Sequence, residues 1–111
     1  MTHEIEIQLR TRVVLIEDTD GRWFARGLDI DYAAQGRSEL EVQKAFEIGF
    51  VATVRDHMAT YGHLDYFQRP APDHVLEMYA SALSESEDGV FLPLNAQPDT
   101  TRLARIEYLA A

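Results

Sequence analysis

Cysteine is absent from the 111 residues. That excludes disulfides, thiolate metal sites and a cysteine nucleophile, and it fits a reducing compartment, so a cytoplasmic location is expected. No apolar run approaches the ~20 residues that cross a bilayer. The opening residues MTHEIEIQLR lack the basic start and continuous apolar stretch of a secretory leader, and no membrane association is expected. There is no G-x-S-x-G elbow, and Ser81, Ser84 and Ser86 fall at a helix end and in a polar loop, so serine hydrolysis has no support. The six glycines are scattered, which leaves no glycine loop to cradle a phosphate. Positive charge is scarce: ten Lys and Arg stand against nineteen Asp and Glu, a net charge of −9. Such a field repels nucleic-acid phosphates and anionic membranes and attracts basic proteins. The same excess is also what an ordinary solvated acidic surface carries. Without a Lys/Arg cluster along the chain, direct nucleic-acid binding is not expected.

What is present is an ordinary globular composition, 46% hydrophobic and 26% charged, long enough for one domain over residues 1–111. Ile5, Ile7 and Leu9 alternate with Glu4, Glu6 and Gln8, the two-residue period of a half-buried strand. Val13-Val14-Leu15-Ile16 continues it as a run buried on both faces, so residues 4–17 read as one strand, bent near Thr11-Arg12. Asp18-Thr19-Asp20-Gly21 is a turn, and Arg22 to Leu28 alternates again, which makes a hairpin. Tyr32 to Gly36 reads as a short third strand. Ser38 with Glu41 forms a capping box for a helix that runs to about Tyr61, with Gly62 as its left-handed stop.

That helix shows one stripe of Val42, Ala45, Phe46, Gly49, Phe50 and Thr53, and a second patch of Leu40, Val51, Val54 and Met58. Two stripes call for a second covering surface, from later in the chain or from another subunit, and a homo-oligomer is expected. Gly49 points to a close approach at the helix backbone, because glycine otherwise costs about 1 kcal/mol there. Beyond Pro70 and Pro72, Asp73 can cap a short second helix over about 73–83. Val90 to Leu94 and Leu103 to Leu109 read as closing strands, the first an edge or irregular strand because Pro93 cannot donate a ladder bond. The expected fold is α+β: a β-β-β-α core with an antiparallel sheet, one long helix on one face, a short second helix and one or two C-terminal strands.

The segment Asp20-Gly21-Arg22-Trp23-Phe24-Ala25-Arg26, followed by Gln35-Gly36 and by Ser38-Glu39-Leu40-Glu41-Val42-Gln43-Lys44-Ala45, resembles the HicB-like antitoxin family. The resemblance covers about residues 13–61. Each piece is individually common, and the specificity lies in their order and spacing. It implies a partial ribonuclease H-like fold without nuclease chemistry, and a module that binds and blocks a small basic HicA-like toxin. The chain departs from the family where Leu28-Asp29-Ile30-Asp31-Tyr32-Ala33 replaces a proline- and cysteine-containing stretch. It is also expected to lack the C-terminal DNA-binding domain that many such antitoxins carry.

Among candidate chemical groups, Asp29 and Asp31 place two carboxylates on one side of an extended segment, and Glu47 is the obvious third. That set could hold Mg²⁺ in a divalent-metal nuclease, but an Asp-x-Asp beside a turn is more often solvated loop. His57 and His63 have a zinc-like separation with no third or fourth ligand implied, and read better as surface or cap histidines. Trp23, Phe46 and Phe50 are assigned to the core, and Tyr66 or Phe67 to a partly exposed position. The reading is a non-enzymatic, acidic protein-binding module without a cofactor or metal. Its partner is a HicA-like toxin or another nucleic-acid-binding protein, met through Asp29, Asp31, Glu47, Tyr66 and Phe67. The alternatives are an inhibitor that fills a nucleic-acid groove, as a phage anti-defence protein would, and the metal nuclease.

Overall fold

The computed structural model describes residues 3–30, 32–64, 67–68, 73–78, 89–96 and 100–110. Its elements are β1 (Glu4–Glu17), β2 (Trp23–Gly27), β3 (Ala33–Gly36), α1 (Glu39–Tyr61), α2 (Asp73–Met78), β4 (Gly89–Ala96) and β5 (Thr100–Ala110). The expected α+β class and its β-β-β-α start are present. Of the segment expected as a second helix, the described part is the six-residue α2.

The β1–β2 turn is closed by its own side chain and by glycine. Asp18 accepts the Thr19 amide on its carboxylate at 2.7 Å and the Gly21 amide on its carbonyl at 3.0 Å. Gly21 then adopts φ 79°, which a side chain would resist. Helix α1 starts where Ser38 Oγ accepts the Glu41 amide at 3.1 Å. The reciprocal bond from the Glu41 carboxylate is not formed, so only half of the expected box exists. At the other end Gly62, at φ 74°, donates its amide to the Met58 carbonyl.

The five strands form one sheet in the order β3-β2-β1-β5-β4. The expectation of an antiparallel sheet is corrected at one seam: β1 and β5 run parallel, while the other pairings are antiparallel. Side-chain alternation reports which face a residue occupies and is blind to strand direction, so this seam left no trace in the pattern. The expected bend at Thr11-Arg12 is also displaced. The register of β1 against β5 shifts between Ile7 and Leu9, and that of β4 against β5 between Pro93 and Asn95. Both irregularities flank Leu103, which pairs with Ile7 on one side and Pro93 on the other. The extra residues, Gln8 and Leu94, both line a hollow against Val54, Arg55 and Met58 of α1. Pro93 therefore sits as expected, on an edge strand at an irregularity.

Helix α1 covers one face through Val42, Phe46, Phe50 and Val54, none more than 2% exposed. Their four-residue spacing makes one narrow stripe, and each contributes about 1.5–3 kcal/mol on burial. Val54 thus belongs to the core stripe and not to a second one, whereas Leu40 is 61% exposed. The second patch expected on the helix is not a unit. Below the helix lie Leu9, Val13, Leu15, Ala25, Ala104 and Ile106. Of the run Val13-Val14-Leu15-Ile16, the first three are buried and Ile16 is half-buried. Gly49 is tight, although the neighbour is a side chain and not the sheet backbone: a Cβ there would overlap the Tyr32 hydroxyl. At Gly36 a Cβ would fall 2.7 Å from the Val42 amide nitrogen, so the chain entering α1 leaves no room for a side chain.

Candidate functional site

The residues expected to form a binding site are held by separate partners. Asp29 follows β2, where the chain leaves β1. Its Oδ2 accepts the Arg12 backbone amide at 2.8 Å and the Arg12 Nε at 3.0 Å, and its Oδ1 accepts Arg12 Nη2 at 2.6 Å. The carboxylate takes the place of the next ladder carbonyl beside β1. It holds the guanidinium above its ordinary pKa, chiefly through that hydrogen bond. Glu47, on α1, accepts the Tyr108 hydroxyl at 2.7 Å. Tyr108 is 8% exposed, and burial first, then the Glu47 bond, raises its phenol well above the usual range. Phe67 packs edge-on against Phe50, with ring centres 6.3 Å apart, and against His57 at 5.2 Å. Among the described residues, no contact links Asp29, Glu47 and Phe67 to one another. Asp31 and Tyr66 lie outside the described residues. Among the described residues, no group of three or more His, Asp or Glu is placed to hold a metal ion.

His57 sits between aromatic rings, 4.6 Å from Tyr61 and 5.2 Å from Phe67. Its Nε2 is buried without a hydrogen-bond partner, an apolar setting that differs from a surface or cap histidine. His63 lies on the far side of Tyr61, with ring centres 6.3 Å apart.

A cleft of about 620 Å³ lies between the start of α1 and the end of the sheet that carries the β1–β2 turn. Its floor is apolar and aromatic, with Leu15, Trp23, Val90, Tyr108 and Leu109, and Glu17 and Glu39 stand in its wall. Asp18 and Asp20 are exposed in the chain that follows Glu17. Each piece is there for a local reason: Trp23 is a half-buried strand residue, and Glu39 meets the positive end of the helix dipole. The fold brings residues from positions 15 to 109 to one opening. Sequence reasoning missed this cleft because its members are separated in the chain and each has an adequate local explanation.

It also missed an arginine group on the face of the sheet turned away from α1. Strand register puts Arg10 opposite Arg105 and Arg12 opposite Glu107, with Arg26 opposite Val14. Arg105 lies 3.5 Å from Glu107 and 5.5 Å from the centre of the Phe91 ring. No family model, curated protein or solved structure matches the chain, so the HicB-like resemblance rests on the motif residues alone. Among the described residues, no helix is long and apolar enough to cross a membrane.

Proposed function

We infer that the chain is a cytoplasmic protein-binding module of HicB-like type, which sequesters a basic partner by receiving it at the acidic cleft. The observation that carries this reading is the cleft itself: an apolar floor with Trp23 and Tyr108, walled by Glu17 and Glu39. Carboxylates at a rim accelerate encounter with a cationic surface, and a desolvated aromatic floor supplies lasting affinity. The net charge of −9 supports the same sign of partner. The residue order through the β1–β2 turn and into α1 supports the HicB-like assignment. A partner of the HicA-like ribonuclease class would lose access to RNA by steric and electrostatic cover. The nuclease reading has no observation in its favour, since both Asp29 oxygens are engaged by Arg12.

Titration calorimetry with a purified HicA-like ribonuclease, at about 50 mM and 300 mM salt, tests this directly. A complex that weakens with salt is expected, because exposed charges are screened beyond about 10 Å at 0.1 M. The Glu17→Lys/Glu39→Lys variant should bind at least about tenfold more weakly, with its fold unchanged by circular dichroism. No complex at low salt would remove the reading, and unchanged affinity in the variant would remove the cleft from it.

A further inference from the structure

The outer face of α1 carries a large exposed apolar side chain, Ile48. Ile48 is two residues from both Phe46 and Phe50, so at 3.6 residues per turn it points away from the core stripe. Among the described residues it is the most exposed large hydrophobic, at 73%. Its neighbours one turn before and after are Lys44, Ala45, Val51 and Ala52, three of them small or apolar. Charge on this face comes from Lys44, exposed one turn before Ile48, and from Glu41 and Arg55, both exposed, seven residues before and after it.

We propose that two copies of this chain associate through antiparallel α1 helices, with the twofold axis at Ile48. That axis puts Ile48 against Ile48 of the second copy and Ala45 against its Val51. Lys44 then lies over the small Ala52 of the second copy. The same operation brings Glu41 opposite Arg55, and Arg55 opposite Glu41, two ion pairs at the ends of the contact around Ile48. Reversing one helix would set Glu41 against Glu41 and Arg55 against Arg55. Charge therefore selects both the occupant and its direction. Among the described residues, the Glu41 carboxylate has no hydrogen bond or ion pair, and Arg55 makes a long Nε contact of 3.4 Å to the Leu94 carbonyl. The small side chains at positions 45 and 52 let the two backbones approach. A single helix pair buries less than the ~800 Å² per partner of a standard complex, so a weak, concentration-dependent dimer is expected.

Sedimentation equilibrium from about 5 µM to 1 mM tests the proposal. A concentration-dependent monomer–dimer equilibrium is expected. Ile48→Glu places like charges on the axis and should abolish it, with the fold retained because the site is exposed. Glu41→Arg and Arg55→Glu should each weaken self-association at least about tenfold, while the two combined restore it. An equimolar mixture of the two single variants should form the heterodimer. A chain that stays monomeric at 1 mM overturns the proposal. So does a dimer that survives Ile48→Glu, or charge variants that fail to rescue each other. The Glu17 and Glu39 carboxylates of the cleft are untouched by these variants, so failure here leaves the reading of the cleft to its own test.

Discussion

Asp29 does for Arg12 what a neighbouring strand would have done, accepting its backbone amide at 2.8 Å and its guanidinium at 2.6 Å. Antiparallel pairing of β2 with β1 ends at Val13 and Gly27, and the Leu28 amide adds one more bond to the Arg12 carbonyl. The Asp29 carboxylate then closes the next position. An acidic residue that looked free to meet a partner is engaged in finishing a sheet.

Asp29→Ala should therefore lower stability by about 1–3 kcal/mol, the range for a part-buried donor left without its acceptor. Asp29→Asn, which keeps one acceptor oxygen, should lose less. Urea denaturation measures both. A variant as stable as the parent would return Asp29 to the surface.

Gly49→Ala poses a conflict between two terms. Helix propensity alone favours alanine by about 1 kcal/mol. Here the new methyl collides with the Tyr32 ring, which packs edge-on to Phe46 with centres 5.0 Å apart. The substitution should destabilise the chain, and should become stabilising by about 1 kcal/mol once Tyr32 is also replaced by alanine. Thermal melts of the single and double variants decide it.

Thr11 is 2% exposed, and its hydroxyl has no hydrogen-bond partner. Thr11→Val keeps the branched shape and removes the stranded oxygen, and should stabilise the fold by about 1 kcal/mol. A shift of the urea midpoint with an unchanged slope would confirm it. A loss of stability would mean that the hydroxyl is satisfied in solution.

Tyr108 governs the alkaline side of the stability profile. Its phenol titrates higher in the folded chain than in the unfolded one, so the folded state holds the proton more tightly. The stabilisation is complete below the unfolded value of about 10 and declines as pH rises above it, toward the raised folded value. Tyr108→Phe should cost about 1 kcal/mol at pH 7, from the lost bond to Glu47. It should also flatten the fall in melting temperature between about pH 9.5 and 11.5. An equally steep fall in the variant would assign that decline to other groups.

Local signals carried most of the element list, because each depends on residues near in the chain. The alternation from Glu4 to Leu9, Ser38 before α1 and Gly62 after it place strand and helix ends through bonds spanning at most four residues. The core stripe was partly legible. Val42, Phe46 and Phe50 were grouped together, but Val54, assigned to a second patch, joins them in the core, and Ile48, which faces outward, was in neither group.

Nothing local fixes the parallel seam of β1 with β5, because alternation is the same in either direction. Nor does proximity in the chain foretell that Glu17, Glu39 and Trp23 would share an opening, or that Arg10 would stand opposite Arg105. The sum of charges and the periods of apolar residues follow from composition and order alone. Which carboxylates remain free to meet another molecule follows from long-range pairing, and it is pairing that engaged Asp29 and left Glu41 exposed.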